Sequence, residues 1–112
     1  MDNKTPHIIT EDMTKPEPLE KVEPIYPDKA RKEGIEGTVI LQIVIGPTGN
    51  VEKANLLTVI PPKARGFGFE DTAIQAILKW KFSPAKDANW ENVRVYYNAP
   101  IVFKLKPENQ KK

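Results

Sequence analysis

The feature that most constrains this chain is an alternating stretch near its C-terminal end, residues 92–105. Every odd-numbered side chain from Val93 to Leu105 is apolar, whereas the even positions are mixed and mostly polar. A period of two predicts a β-strand with one face on a core and the other toward water. The rest of the chain must therefore supply a sheet for this strand and a cover for its apolar face.

The first part of the chain has a different character. Residues 1–22 combine prolines with Lys, Glu and Thr and contain only scattered apolar side chains. Such a segment buries too little surface to offset the entropy lost on ordering. We predict a flexible, partly extended linker over residues 1–22, one domain over residues 23–106, and a polar tail over residues 107–112.

Charge changes at about the same boundary. Residues 1–24 hold three Lys against six acidic residues, a net of −3, and residues 25–106 hold twelve Lys or Arg against eight acids, a net of +4. A scattered excess of this size does not form the clustered basic patch of a nucleic-acid-binding surface. The charge pattern predicts no nucleic-acid partner.

The composition also limits cofactors and membrane segments. The sequence has no Cys, which excludes disulfides and thiolate metal sites. No apolar run reaches the length of a membrane span, and residues 1–10 lack the apolar region of a signal peptide. We expect that a segment anchoring or exporting the natural protein would lie outside this sequence.

A short helix and a hairpin are predicted before the middle of the chain. Pro27 and Asp28 suit the start of a helix of about two turns, and Gly34 suits a left-handed C-terminal cap. Residues 38–45 are apolar on both faces and predict a central strand. A loop rich in turn residues follows, and a second strand over residues 51–58 has the polar character of an edge.

A longer helix is predicted between the second and the last strand. Over residues 70–81 the apolar side chains fall at helical spacing, and Pro84 ends the pattern. A right-handed crossover leaves room for the first strand between the other two. The sequence therefore predicts an α+β fold with a three-stranded antiparallel sheet of spatial order second, first, third, and places residues 92–105 at an edge.

Pro100 distinguishes the two sides of this edge strand. Proline has no N–H, so its nitrogen must face away from the neighbouring strand. Because the N–H and C=O of one residue point to the same side, even-numbered residues would face the open edge and odd-numbered residues would pair with the first strand. A peptide added there could use only the carbonyl of Pro100, but both backbone groups of Arg94, Tyr96, Asn98, Val102 and Lys104.

Some side chains allow a structural and a functional interpretation. Trp80 and Phe82 could stack on a ligand, but their spacing beside Ile77 favours a place in the core. Arg31 could compensate the dipole of the short helix or form an ion pair that positions the linker. Tyr26 could anchor the entering chain on the sheet, contribute to recognition, or do both.

No catalytic or metal-binding constellation is visible. His7 is the only histidine, and one imidazole near Glu11 and Asp12 in a linker is a poor metal site. No Cys is available as a nucleophile, and no spacing places Ser or Thr beside a base. We predict no enzyme, no cofactor and no catalytic residue.

The motifs taken together resemble the C-terminal domain of TonB-family energy transducers. The resemblance covers residues 26–105 and depends on the combination of Tyr26-Pro27, Ala30-Arg31, Gly34 and Gly37 with Trp80, Phe82, Pro84-Ala85 and Ala99-Pro100. It implies a periplasmic domain on a Pro-rich linker that is tethered to the inner membrane beside proton-driven motor proteins. It also implies that the last strand captures the TonB box, a short N-terminal segment of an outer-membrane transporter.

Two groups of residues are therefore candidates for peptide binding by strand addition. The edge group is Arg94, Tyr96, Asn98, Pro100, Val102 and Lys104. The linker-proximal group is Glu23, Pro24, Ile25, Tyr26, Pro27 and Arg31. A stand-alone envelope domain that binds peptidoglycan or another protein is the alternative, and a monomer or a weak dimer paired through the same edge is expected.

Overall fold

The computed structural model describes residues 5–105, which form seven strands and two α-helices. The helices are α1 (Asp28–Glu33) and α2 (Phe69–Ile77), and Pro62–Ala64 forms a short 3-10 turn. The strands are β1 (Pro18–Glu20), β2 (Gly37–Ile45), β3 (Val51–Ile60), β4 (Lys81–Phe82), β5 (Ala85–Lys86), β6 (Asn92–Val93) and β7 (Val95–Phe103). Neither α-helix in the described part has the length and hydrophobicity of a membrane span.

The main sheet is built around β2. This strand lies between β3 and β7, and both neighbours run antiparallel to it. One face of β2 is buried, whereas Thr38, Ile40 and Gln42 on the other face are half-buried. The pairing of β2 with β7 runs from Gly37 opposite Phe103 to Ile45 opposite Val95. The α+β class and the predicted strand order are confirmed.

The core lies between one face of this sheet and α2. The inward side chains of β7 alternate as predicted, with Tyr97 only half-buried and the others buried. Burial of these apolar surfaces is the main contribution to the stability of such a layer. The buried side chains of α2 and β7 are Phe69, Ala73, Ala76, Ile77, Val95, Ala99, Ile101 and Phe103.

The predicted last strand is interrupted. Asn92–Val93 forms β6 and pairs with β5, Arg94 lies outside the strands, and β7 ends at Phe103. The break follows from the length of β2, because β2 ends opposite Val95 and earlier residues must find another partner. The prediction of one continuous strand over residues 92–105 is therefore wrong at both ends.

The long helix ends at Ile77, whereas the sequence predicted that it would extend to Lys81. The N–H of Lys79 bonds to the Ala76 carbonyl, and that of Trp80 bonds to the Ile77 carbonyl, both at 3.0 Å. These bonds tighten the last turn. The N–H of Phe82 then donates to the Gly49 carbonyl at 2.9 Å, so Phe82 no longer has helical hydrogen bonding.

The other boundaries lie close to the predicted ones. Pro27 is the residue that precedes α1, and Gly34 ends α1 with φ +70°, the left-handed conformation predicted for it. β3 continues two residues beyond Thr58, the predicted end. The core and the strand order do not depend on these differences.

Residues 5–22 lie along the domain. Thr14 and Lys86 exchange two backbone hydrogen bonds, of 2.9 and 3.3 Å, and β1 pairs with β4. The flexibility of this segment and the domain boundary at residue 23 stay predictions. The tail predicted over residues 107–112 lies outside the described residues, as do residues 1–4 of the predicted linker.

Candidate functional site

The candidate site is the side of β7 that faces away from β2, called the outer edge below. β7 has one partner within the main sheet, since the strand order is β3, β2, β7. The N–H of Tyr96 bonds outward, away from β2. Because backbone direction alternates along a strand, Asn98, Pro100 and Val102 share this outward direction. This is the orientation predicted for the even-numbered residues.

One end of the outer edge is occupied by the chain's own N-terminal segment. The N–H of His7 donates to the Arg94 carbonyl at 2.7 Å, and the His7 carbonyl accepts the N–H of Tyr96 at 3.0 Å. His7 thus forms a parallel bridge with Val95. In a parallel ladder, one residue forms hydrogen bonds with the two residues on either side of its partner, as His7 does with Arg94 and Tyr96.

The other end of the outer edge carries no strand. Within the described residues 5–105, no segment pairs with Asn98, Pro100 or Val102 on their outer side. The Val102 side chain is 62% exposed. Lys104 follows the end of β7 and is exposed. The structure therefore places four of the six predicted edge residues in β7, with Arg94 directly before the strand and Lys104 directly after it.

An ion pair holds Arg94 where β6 and β7 meet. The Arg94 guanidinium contacts both Glu52 carboxylate oxygens, at 2.6 and 3.1 Å. The hydrogen bond from Arg94 lowers the pKa of Glu52, against a smaller opposing effect of burial. The two side chains are only 21% and 39% exposed. This pair fixes the residue whose carbonyl accepts the His7 N–H.

Tyr26 joins the entering chain to the far end of β7. Its ring packs edge-on against Phe69 and Phe103, with centroids 5.6 and 5.8 Å away, and its hydroxyl donates to the Ile35 carbonyl. Burial raises the pKa of the Tyr26 phenol, and the Glu36 carboxylate adds to the effect. These contacts give Tyr26 the anchoring role, at the end of the outer edge opposite to His7.

The remaining linker-proximal residues differ from Tyr26 in their hydrogen bonds and exposure. Within residues 5–105, no hydrogen bond joins Glu23, Pro24 or Ile25 to this strand, and Ile25 is 75% exposed. Pro27 precedes α1. Arg31 forms an exposed ion pair with Asp28 at 3.0 Å and a longer contact of 3.5 Å with the Tyr26 carbonyl. Recognition by this group stays a prediction.

Of the two aromatic residues with a possible ligand-stacking role, Phe82 is buried in the core. Trp80 is half-buried, with its ring centroid 6.0 Å from that of Phe82. Its indole N–H donates to the Val22 carbonyl at 2.9 Å. Trp80 therefore binds the N-terminal segment, which its predicted helical position did not indicate.

The sequence patterns missed the partnership of His7 with the last strand. From its sequence context, His7 is only a poor candidate metal ligand within a predicted linker. The adjacent β-branched residues Ile8 and Ile9 were the available signal, because such residues favour extended strands. The partnership of Glu52 with Arg94 was also missed, since pairs across a sheet depend on a register that sequence does not show.

The architecture defines an α+β domain whose sheet has an outer strand with backbone groups directed outward. Residues 22–105 match the family model described as Gram-negative bacterial TonB protein C-terminal. The chain belongs to this family of TonB C-terminal domains, as its motifs predicted.

Individual relatives agree with this assignment. The protein TonB of Vibrio cholerae serotype O1 is 44% identical over 64 residues, which are 57% of this chain and 25% of that protein. The protein TonB of Yersinia enterocolitica is 33% identical over 94 residues, 82% of this chain and 32% of that protein. This chain thus spans less than two thirds of the length of either relative.

A solved structure supports the fold. The solution NMR structure of the Pseudomonas aeruginosa TonB CTD has a TM-score of 0.61 and 27% sequence identity. The match covers 87% of this chain and 90% of that one.

Proposed function

We propose that this chain is the periplasmic, peptide-capturing domain of a TonB-like energy transducer. The TonB box of an outer-membrane transporter adds as a strand to the outer edge of β7. Energy derived from the proton-motive force then reaches the transporter through this complex. The observation that supports strand addition most directly is the bridge between His7 and Val95, because the His7 backbone binds this edge through two hydrogen bonds.

The chemistry of the outer edge fits an extended peptide. Unpaired strand edges present rows of N–H and C=O groups that bind a further strand, and side chains add selectivity. The edge offers both, through outward backbone groups and the exposed side chains of Asn98 and Val102. Pro100 supplies only a carbonyl, which limits uncontrolled pairing with other strands.

Family membership supports a wider context for this domain. In the proposal the natural protein is tethered to the inner membrane, where an anchor outside this sequence contacts proton-driven motor proteins. Residues 1–22 continue toward that anchor. Peptidoglycan is a further candidate partner of the same domain. The proposal assigns no enzymatic activity and no cofactor.

Two substitutions at one position test strand addition. Asn98→Pro removes an outward N–H, whereas Asn98→Ala removes the same side chain and keeps the N–H. Losing one backbone hydrogen bond of about 1 kcal/mol weakens binding about fivefold. Isothermal titration calorimetry with a synthetic TonB box peptide should show this loss for Asn98→Pro and less than about twofold change for Asn98→Ala.

The outcomes separate the proposal from the alternative. Equal affinity of the two variants would contradict binding through the backbone of β7. No binding to the unmodified chain would favour a stand-alone envelope domain without a transport role. Circular dichroism of both variants checks that the fold is retained.

A further inference from the structure

The N-terminal segment occupies part of the edge to which we assign peptide capture. The His7 backbone uses both of its hydrogen-bonding groups on this edge, at 2.7 Å to Arg94 and 3.0 Å to Tyr96. An added peptide strand would need the same carbonyl and the same N–H. Because each can serve one strand at a time in a ladder, the two occupants exclude each other at Arg94 and Tyr96.

Neighbouring contacts hold this segment close to the edge. The side chains of Ile9 and Met13 are partly buried and pack against the core. Thr14 and Lys86 are joined by two backbone bonds, so only a short stretch separates His7 from a fixed point. A strand tethered by a short connection acts at a high effective concentration. Two hydrogen bonds can therefore compete with an incoming peptide.

The occupied region covers only one end of the outer edge. Arg94 and Tyr96 bond to His7, whereas Asn98, Pro100 and Val102 carry no strand in the described part of the chain. A peptide can thus bind the uncovered end first and then replace His7 residue by residue. Ile8 is 75% exposed, so its side chain adds little apolar burial that would oppose the release of His7.

We infer that residues 5–9 are a self-bound segment, joined to the outer edge through the His7 backbone, that regulates the capture edge by competing with the transporter peptide. The inference is built on the proposed function. When a site is filled by its own chain, the apparent affinity for a ligand falls in proportion to the fraction of molecules in which the site is unoccupied. Removing the segment should therefore tighten peptide binding about threefold to tenfold, the effect expected for two modest hydrogen bonds.

Hydrogen exchange tests self-binding without a peptide. In the unmodified chain the Tyr96 amide should exchange with deuterium about tenfold more slowly than the Asn98 amide, because Tyr96 donates to His7. In a chain that begins at Ile9 the two amides should exchange at similar rates. This truncation keeps Ile9 and Met13 against the core. Equal rates in the unmodified chain would overturn the inference.

Two proline substitutions provide a matched pair in the whole chain. His7→Pro removes the N–H that binds the Arg94 carbonyl. Ile8→Pro places the same ring one residue later, where the described residues show no hydrogen bond from the N–H to β7. Calorimetry with a TonB box peptide should give tighter binding for His7→Pro and for the truncated chain, and an unchanged affinity for Ile8→Pro.

The failures of the two proposals differ. Equal peptide affinity of the unmodified chain, the truncated chain and His7→Pro would overturn competition and leave capture at β7 intact. No binding by any of these chains would overturn the proposed function and, with it, the inference. Tighter binding after Ile8→Pro as large as that after His7→Pro would contradict a role for the His7 backbone bonds.

Discussion

Glu52 and Arg94 form a bidentate ion pair that links β3 to the residue directly before β7, across the central strand β2. The contacts measure 2.6 and 3.1 Å. The pair fixes Arg94, whose carbonyl lies at the occupied end of the outer edge. It therefore connects sheet stability with the geometry of the candidate site.

This ion pair predicts a pH dependence of stability. The bond from Arg94 lowers the pKa of Glu52 below its ordinary value of 4.5. A lowered folded-state pKa contributes stability that is fully present above the unfolded pKa and is lost as the pH falls through the folded one. Glu52→Gln should thus lower the free energy of unfolding by about 0.5 kcal/mol at pH 7, a small loss because the ion pair is partly exposed. The loss should be smaller at pH 3.

Urea unfolding at pH 7 and pH 3 measures this effect. Glu33→Gln is the control, because Glu33 is exposed on α1 and belongs to neither ion pair of the described residues. A Glu52→Gln penalty that stays the same at both pH values would contradict the assigned role of the carboxylate.

Tyr26 provides a test that separates folding from recognition. Tyr26→Phe keeps the ring contacts with Phe69 and Phe103 but loses the hydrogen bond to the Ile35 carbonyl. We expect a loss of about 1 kcal/mol in the free energy of unfolding. Peptide affinity should not change, because Tyr26 acts as an anchor. Tyr96→Phe is the control, because Tyr96 is exposed, and its free energy of unfolding should stay within about 0.5 kcal/mol of that of the unmodified chain.

The opposite result would revise the role of Tyr26. A variant of unchanged stability that binds peptide tenfold more weakly would place the hydroxyl in the recognition surface. Chemical denaturation and calorimetry on the same samples distinguish the two roles.

The hairpin glycine Gly49 is required for a close approach between two elements. A Cβ at Gly49 would collide with the Phe82 carbonyl oxygen, and its φ of +90° is unfavourable for other residues. Gly66 has a similar φ of +86° with no atom near its Cβ position. We expect Gly66→Ala to lower the free energy of unfolding by about 1 kcal/mol, and Gly49→Ala to lower it by at least about 3 kcal/mol.

Thermal and urea unfolding of both variants measure the difference. Because the backbone strain is matched, the additional loss in Gly49→Ala reports the contact with β4. Equal losses would mean that β4 moves away from the hairpin at little cost.

Regular patterns predicted the centre of the fold. The apolar run of β2 indicated a central strand, Gly34 indicated the end of α1, and the alternation from Val95 to Phe103 indicated which face enters the core. Each of these signals is local, since the residue type restricts its own backbone or its own burial. The strand order then followed from connection rules.

Features that depend on distant partners were not predictable in this way. The interruption at Arg94 reflects the end of β2, and the early end of α2 reflects the bond between Phe82 and Gly49. The pairing of His7 with the last strand brings together residues from opposite ends of the chain. None of these partners leaves a periodic trace in its own segment.

The most direct test of strand capture is a titration of the isotopically labelled chain with a TonB box peptide, followed by backbone amide NMR. The sheet has two outer strands, β7 and β3, and we assign capture to β7 alone. We expect the largest shifts at the even-numbered amides Tyr96, Asn98 and Val102, with His7 signals moving as its bonds are released. Shifts confined to β3, or an unchanged β7 at saturating peptide, would contradict capture by β7.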